Sequence, residues 1–451
     1  MFRKFLAMLA ALCLLASLSC GLQLKMVSTS SRPASTIFER LSTAARFVVE
    51  RPVRVQYSTA MAARVAFFLS QGLIITRLPG LASEPASSPS PAPKMAPLDF
   101  AAVIGAVSDA LLTDSPDEIG FQIPGVSEKA FLESDEQRAL FGKNFAAIIK
   151  LLRTDLENVE NGSYKLPYDL TPSMSSPQWN PLSVLMTVSN YVSDRREVLA
   201  RSRRRGGQEV RGRMVFSERG RYPEYYLQNF HYQTDGWLSQ ESARIYDYQV
   251  EALFLGTADA MRRQLLPQMT RFFRETKSSS SGAGVKHLDV ATGTGRFMSF
   301  VMDNFPQLDA VALDLSPFYL REAQQLLSAH DSVKFVESAA EEMPFPDASF
   351  DSISCVYMFH ELPRKVRSKV VAEMARVLKP GGKVFFCDSA QKGEVPVDRV
   401  LEGFTIIAHE PYYMDYTEQN LKELFANSGL LLDEGSEQVH WVSKVLSFTK
   451  A

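Results

Sequence analysis

The sequence predicts an α/β fold for the carboxyl-terminal part of the chain, with a mostly parallel sheet covered by helices on both faces. After residue 285, short and nearly continuous apolar segments alternate with segments of helical periodicity. A Gly/Thr-rich turn follows the first apolar segment, as at the ligand-binding edge of such sheets. The ending "GLLLDEGSEQVHWVSKVLSFT" has the pattern of two strands joined by a polar turn. We therefore expect an antiparallel pair at the end of the sheet.

The individual elements follow from residue type and spacing. Five strands are predicted from the segments "KHLDVA", "AVALDL", "VKFVE", "SISCVYM" and "KVFFCDS". Helical patterns such as "FYLREAQQLLSA" and "RSKVVAEMARVL" separate them. No internal repeat is apparent, so the alternation indicates one sheet domain over residues 285–451.

The preceding part is predicted to be mainly helical. Residues 97–225 form a helical region whose clearest segment is "FAAIIKLLRTDL", and residues 226–276 hold two entry or lid helices. Ser239 is a plausible N-cap of the first entry helix and Gly256 its C-terminal stop. Pro267 is expected to bend the second.

The amino terminus has the pattern of a targeting presequence. Residues 1–20 have a basic start, a short apolar run and small residues suited to cleavage, and a stretch rich in Ser, Ala and Arg follows. A signal peptide before a transit-like segment predicts import into a plastid, as in algae with a secondary plastid, and secretion is the alternative. We assign residues 1–80 to the presequence and 81–96 to a Pro/Ser linker, and expect folding to begin near residue 97.

Composition excludes several classes of protein. The formal net charge of −2 argues against general nucleic-acid binding. Cys355 and Cys387, in apolar segments, are expected to be buried, and neither a disulfide framework nor a metal cluster is predicted. The arginine-rich segment 195–221 is either an anion-binding patch or a solvated helix end and loop. We favour the second because no aromatic residues are interleaved with the arginines.

The turn "DVATGTG" predicts a nucleotide-like ligand. Gly293 and Gly295 allow close approach of the main chain, and Asp289 at the strand end faces the ligand. Asp314 ends the next strand about 20 residues further on, where a carboxylate accepts hydrogen bonds from ribose hydroxyls. Because no third glycine follows, a dinucleotide is disfavoured.

Four motifs in this order, "LDVATGTG", "LDLSP", "AEEMPFPDASFD" and "RVLKPGGK", resemble those of the class I S-adenosylmethionine-dependent methyltransferases. The resemblance covers residues 285–451 and implies a Rossmann-like seven-stranded sheet with an antiparallel last strand, and S-adenosylmethionine as cofactor. The cofactor residues that it implies are Asp289, Ala291, Thr292, Gly293, Thr294, Gly295, Asp314, Leu315, Ala340, Glu341, Val356 and Tyr357.

The sequence departs from the general pattern at several places. Ala291 stands where the first loop glycine is usual, a form found in the quinone-methylating branch, and Ala339 replaces the usual Asp. The segment "SARIYDYQVEALFLGTADAMRRQ", with Tyr246 and Asp247, is similar to the entry segment of the ubiquinone/menaquinone C-methyltransferases. After the fourth strand, that family's Phe-Gly-Leu-Arg-Asn run is replaced by "MFHELPRK".

The acceptor side can be predicted only from residue chemistry. A base that removes a phenolic proton activates the ortho carbon of a quinol, and histidine suits this task. His360 with Glu361 is the first candidate and His409 the second; a helix-capping or positioning role for His360 is the alternative. Aromatic residues could line an apolar acceptor pocket or simply pack between elements. The predicted substrate or lid residues are Tyr232, Trp237, Tyr246, Tyr412 and Tyr413.

The sequence therefore predicts methyl transfer to a small apolar acceptor, such as a prenyl quinone or quinol. No metal and no nucleic acid are expected, and a peripheral membrane contact is predicted as a further partner. One alternative is a methyltransferase-fold module that binds without catalysis. Another is an RNA or protein methyltransferase that uses the arginine-rich segment.

Overall fold

The computed structural model describes most of the chain from residue 51 onward. The described residues are 51–75, 107–112 except 109, 135–170, individual positions between 194 and 210, 220–277, 282–395, 401 and 408–451. The helices before the sheet are α1 (Pro52–Ile75), α2 (Asp135–Glu160), α3 (Gln240–Leu253), α4 (Ala258–Arg263) and α5 (Leu266–Lys277).

The sheet domain alternates strands and helices, as the sequence predicts. Its strands are β1 (Lys286–Val290), β2 (Asp309–Asp314), β3 (Val333–Glu337), β4 (Phe350–Val356), β5 (Leu378–Ser389), β6 (Leu430–Leu432), β7 (Gln438–His440) and β8 (Ser443–Lys450). Its helices are α6 (Arg296–Asn304), α7 (Pro317–Leu326), α8 (Arg364–Val377), α9 (Tyr413–Thr417) and α10 (Leu421–Ala426).

The strand order is β3-β2-β1-β4-β5-β8-β6, with β7 paired to β8. Strands β1 to β5 are parallel, whereas β8 is antiparallel to β5. Strand β5 pairs with one edge of β8, and both β6 and β7 pair with the other edge of β8. Eight strands therefore occupy the seven positions that the resemblance implies, because two short strands share the last one. The fold class is confirmed.

Two apolar cores cover the two faces of this sheet. Alternate residues of one strand face opposite sides, so Phe386 of β5 packs with α8 and α10, and Cys387 packs with α5 and α6. Cys355 and Cys387 are both fully buried and free, as predicted. The sheet is thus sandwiched between helices, and its carboxyl-terminal edge is left for a ligand.

Helix α1 belongs to this folded structure. Tyr57, Met61 and Val65 are almost fully buried and share an apolar core with α2 and α4. The prediction that folding begins near residue 97 is therefore wrong, because α1 supplies part of the core. Among the described residues, no helix combines the length and apolar character needed to cross a membrane.

The entry helices form where the sequence places them. Ser239 is the N-cap of α3, and its hydroxyl accepts a hydrogen bond from the Ser242 N–H at 3.1 Å. Gly256 follows the helix with φ +78°. Instead of one bent helix, residues 258–277 form α4 and α5, with Pro267 in the first turn of α5, where its missing N–H costs no helical bond.

Candidate functional site

A cleft of about 1050 Å³, part of it open to solvent, lies at the carboxyl ends of β1, β2 and β4. Most of the predicted cofactor residues meet there: Asp289, Ala291, Thr292, Gly293, Thr294, Asp314, Leu315, Ala340, Glu341, Val356 and Tyr357 all line it. These residues come from four separate segments of the chain, and the sheet brings them together because its parallel strands end at the same edge.

The loop after β1 is held in left-handed backbone conformations. Ala291, Gly293 and Gly295 have φ of +57°, +58° and +78°. The Thr292 N–H donates to the Leu313 carbonyl at 2.9 Å, which fixes the loop beside β2. Ala291 thus takes the conformation that glycine adopts most readily, at the position where the wider family has glycine. The loop keeps the geometry of the motif at the cost of local strain.

Two carboxylates stand at the ends of β1 and β2. Asp314 accepts hydrogen bonds from the N–H groups of Gly293 and Ser316, both at 2.8 Å. Asp289 accepts from the hydroxyls of Thr292 and Ser354, at 2.7 and 2.5 Å. Burial raises both pKa values to about 6, although these hydrogen bonds act in the opposite direction. Both groups are mostly ionised at neutral pH.

One wall of the cleft is aromatic. Trp237, Tyr246 and Tyr319 meet edge to face, with ring centroids 5.4–5.5 Å apart. The Ser316 hydroxyl donates to the Trp237 carbonyl at 2.6 Å, so the segment before α3 is tied to the end of β2. Beside the predicted cofactor residue Ala340, the Tyr225 hydroxyl donates to Glu341 at 2.6 Å. The entry region therefore closes over the sheet edge.

The other predicted lid residues lie behind this wall and do not line the cleft. Tyr232 packs near His409, with ring centroids 5.4 Å apart, and Tyr412 packs against the cluster that contains Phe230 and Trp237. The Tyr413 hydroxyl is 2.6 Å from the Ser389 hydroxyl. The structure places these tyrosines in the packing between elements.

The three predicted catalytic residues occupy different environments. Glu361 lines the cleft. His360 is buried behind it, with Nδ1 2.6 Å from Asp388. Nε2 of His409 is 3.1 Å from Oε1 of Gln228, outside the cleft lining. Burial lowers the pKa of His409, and the neutral ring packs against the segment that includes Gly207.

The structure adds two cations that the sequence reasoning did not assign, Arg262 and Arg296, which both line the cleft. Each contacts Asp259, at 2.7 and 2.6 Å. On the same side, the Thr294 hydroxyl donates to Asp247 at 2.8 Å. Arg296 directly follows the glycine loop, and this adjacency is the signal that could have identified it.

Part of the arginine-rich segment has a packing role. Arg201 is almost fully buried; it donates to the Tyr232 carbonyl at 2.5 Å and to Glu209 at 2.9 Å. Arg201 thus fixes the lid segment, the residues around Phe230–Tyr232, and does not face solvent. Residues 195–197, 199, 203, 205, 206, 208 and 211–219 of this predicted patch lie outside the described residues.

The two loop glycines are expected to respond differently to alanine. A methyl group on Gly293 would meet no atom within 4 Å, so Gly293→Ala costs only backbone strain of about 1–2 kcal/mol. A methyl group on Gly295 would lie 3.0 Å from the Cβ of Ala323, so Gly295→Ala adds a packing conflict. We expect a larger fall in melting temperature for Gly295→Ala.

Cofactor affinity is expected to show the opposite order. Gly293 lines the cleft, whereas Gly295 caps α6 outside the lining residues. In calorimetric titration, Gly293→Ala should weaken cofactor binding more than Gly295→Ala at a temperature where both variants are folded. Equal losses of affinity would contradict this division of roles.

The cleft residues fit the cofactor that the motifs imply. Open space over Gly293 lets a ligand approach the main chain, and each Asp314 oxygen retains a lone pair for a ribose hydroxyl. Arg262 would offer positive charge to the carboxylate of the methionine part, and Tyr246 would offer an aromatic face to the sulfonium. When bound, this cofactor supplies an electrophilic methyl group.

Comparisons with known proteins agree with the motifs. Residues 288–382 match the family model described as a methyltransferase domain. A demethylmenaquinone methyltransferase of Deinococcus radiodurans is 41% identical over 98 residues, which cover 22% of this chain and 40% of that protein. A ubiquinone/menaquinone biosynthesis C-methyltransferase of Brucella anthropi is 35% identical over 134 residues, covering 29% and 50%.

The chain spans about half the length of these curated relatives. Among solved structures, a SAM-dependent methyltransferase of Aquifex aeolicus aligns with a TM-score of 0.31 and 19% identity, over 38% of this chain and 85% of that one. The sequence matches, together with the motif residues gathered in the cleft, identify the segment around residues 288–382 as a class I S-adenosylmethionine-dependent methyltransferase domain. It is similar to the ubiquinone/menaquinone C-methyltransferases.

Proposed function

We propose that the protein transfers the methyl group of S-adenosylmethionine to a small apolar acceptor of the prenyl quinol type. The observation that carries this proposal is the cleft itself, which combines the cofactor residues with an aromatic wall. Two relatives support the choice of acceptor: the demethylmenaquinone methyltransferase and the ubiquinone/menaquinone biosynthesis C-methyltransferase, each of which matches this chain over part of its length.

The cleft suits in-line transfer because its aromatic wall partly excludes water from the side that faces the cofactor residues. Trp237, Tyr246 and Tyr319 give the acceptor an apolar surface next to the cofactor residues Val356 and Tyr357. Tyr357 is held at φ +54° by a hydrogen bond from its N–H to the Cys387 carbonyl at 2.8 Å. Backbone strain of this kind is common where an active site is fixed in position.

The activity can be tested with labelled S-adenosylmethionine and a lipid and pigment extract from a plastid-bearing alga. We expect label in a prenyl quinol fraction, and much less of it when Asp314→Ala replaces the wild type at low cofactor concentration. Label in RNA or protein would instead support a macromolecular acceptor. Cofactor binding without transfer to any extract would support a binding module.

Plastid import and a peripheral membrane contact are further parts of the proposal. Both can be tested by localising the tagged full-length chain.

A further inference from the structure

A buried ring of four ionisable side chains lies next to the cleft. His231 belongs to the short helix Phe230–Tyr232 and His360 and Glu361 to the helix Phe359–Glu361, while Glu410 precedes α9. His231 is 3.5 Å from Glu361 and 3.6 Å from Glu410. His360 is 3.7 Å from Glu361 and 3.9 Å from Glu410. Each histidine thus faces both glutamates across a gap slightly too long for a direct hydrogen bond.

Several atoms of this ring lack a partner. Both carboxylate oxygens of Glu410 and Nε2 of His231 are buried without a hydrogen bond among the described residues. The Glu410 side chain is completely inaccessible to solvent. Unpartnered buried polar atoms cost free energy, so such a cluster indicates a place for a polar ligand group or a bound water. The described residues contain no group of three His, Cys, Asp or Glu side chains suited to a metal ion.

The charges of the ring are set by its members. Burial opposes a charge on His360, but Asp388, Glu410 and Glu361 outweigh it and raise its pKa to about 10. Burial also opposes a charge on His231, yet Glu361 and Glu410 raise its pKa above the usual value. Burial raises the pKa of Glu410 to about 7 against the pull of both histidines. These neighbours favour the protonated form of His360, which suits a positioning role better than the role of base predicted from the sequence.

Glu361 is the one member of the ring that lines the cleft. Two histidines flank its carboxylate, and Asp388 anchors one of them at 2.6 Å. His231 and Tyr232 are held at φ +53° and +56°, so the lid segment presents the imidazole from a strained backbone. The lid and the sheet edge thus each bring one histidine to the same carboxylate.

We propose that this ring is the subsite for the acceptor hydroxyl, with Glu361 as the catalytic base and with His231 and His360 as positioning residues. The inference rests on the proposed function, since it assumes a phenolic or quinol acceptor. Glu361 would take the hydroxyl proton, and the O–H electron pair would shift into the aromatic ring of the acceptor, whose ortho carbon forms the new C–CH₃ bond as the S–CH₃ bond of the donor breaks. That carbon would then lose its hydrogen to solvent as a proton, and Glu361 would return its proton to the oxygen. One proton is released per turnover, because methyl transfer from a sulfonium donor leaves a neutral thioether.

Glu361→Gln tests the base, with 2-polyprenyl-1,4-naphthoquinol as acceptor and the full-length chain. We expect kcat to fall about 100-fold, the usual scale for a general base, with cofactor affinity changed less than twofold. His231→Gln, which removes a positioning residue but keeps the base, should lower kcat by a smaller factor and leave cofactor affinity unchanged. Glu342→Gln, an exposed carboxylate outside the cleft, is the matched control and should leave kcat unchanged.

Two results would overturn the assignment: a kcat of Glu361→Gln within threefold of the wild type, or a loss confined to cofactor affinity. Failure of the proposed function is a separate result, in which wild type transfers no methyl group to the quinol. In that case, binding of the quinol to protein loaded with S-adenosylhomocysteine decides the subsite. Weaker binding by Glu361→Gln than by Glu342→Gln would support it, and equal binding would contradict it.

Discussion

A chain that lacks residues 1–76 is expected to lose its cooperative fold and its cofactor binding. Met61, Val65 and Phe68 of α1 are buried, and each contributes about 1.5–3 kcal/mol of apolar burial. The Tyr57 hydroxyl donates to buried Asp155 at 2.5 Å. Deleting α1 would expose the apolar face of α2 and remove the partners of buried carboxylates, an effect comparable with the whole stability of a domain, about 5–15 kcal/mol.

The loss should reach the cofactor site through one buried ionic network. Arg64 of α1 contacts Asp169 at 2.7 Å and Asp259 at 2.9 Å. Asp259 also contacts Arg262 and Arg296, which line the cleft. Burial opposes the charge of Asp259, but the three arginines lower its pKa well below the usual value. Without Arg64, Asp259 loses a contact that fixes its position, so the two cleft arginines that it holds are placed less precisely.

The matched control is a chain that begins at residue 51 and keeps all of α1. It should unfold at the temperature of the full-length chain and bind S-adenosylmethionine equally well. Arg64→Met, which removes one charge and keeps the helix, should lower the melting temperature and weaken cofactor binding by a smaller amount. If the chain that starts at residue 77 still unfolds cooperatively with full affinity, α1 is dispensable.

The role of α1 also limits where a presequence can be removed. Cleavage, predicted within residues 1–80, is compatible with this fold only when it leaves α1 in place.

Asp314→Ala is expected to weaken S-adenosylmethionine binding by about 100-fold. Two charge-assisted hydrogen bonds to ribose hydroxyls, worth about 1.5 kcal/mol each, account for this loss. Asp314 also accepts the Gly293 and Ser316 N–H groups, so the loop itself should loosen. Titration calorimetry measures the affinity, and thermal unfolding measures the structural part separately.

Asp309→Ala is the control within the same strand, because its carboxylate lies at the opposite end of β2 and pairs with exposed Lys334. It should leave affinity unchanged. Equal affinities of Asp314→Ala and the wild type would remove Asp314 from the cofactor site.

The affinity of the wild type should also depend on pH. Burial raises the pKa of Asp314 to about 6, so the carboxylate is protonated below that value and accepts hydrogen bonds poorly. Asp289 has a pKa raised to about 6 as well and acts in the same direction. Cofactor affinity should therefore rise between about pH 5 and pH 7 and then level off. Asp314→Asn should show a shallower dependence than the wild type, and a profile that falls over this interval would contradict both assignments.

The sequence by itself determined the α/β class and which residues gather at the carboxyl ends of β1 and β2. A strand, a glycine turn and the next helix are adjacent in the chain, so spacing alone places Gly293 beside Asp314. Ala291 could be recognised as a departure from the motif, and the structure adds that it keeps the left-handed conformation of the usual glycine. Local patterns suffice here because the parallel strands end at one edge.

Only the tertiary structure decided the parts that depend on distant segments. Helix α1 has the composition of a leader, and its role appears only when Arg64 meets Asp259, which is 195 residues away. The sequence pairs His360 with its neighbour Glu361, whereas folding adds His231 and Glu410 and places Asp388 against His360, which raises its pKa. Long-range packing sets burial and charge, and these quantities, which no local spacing reveals, determine which side chain can act as a base.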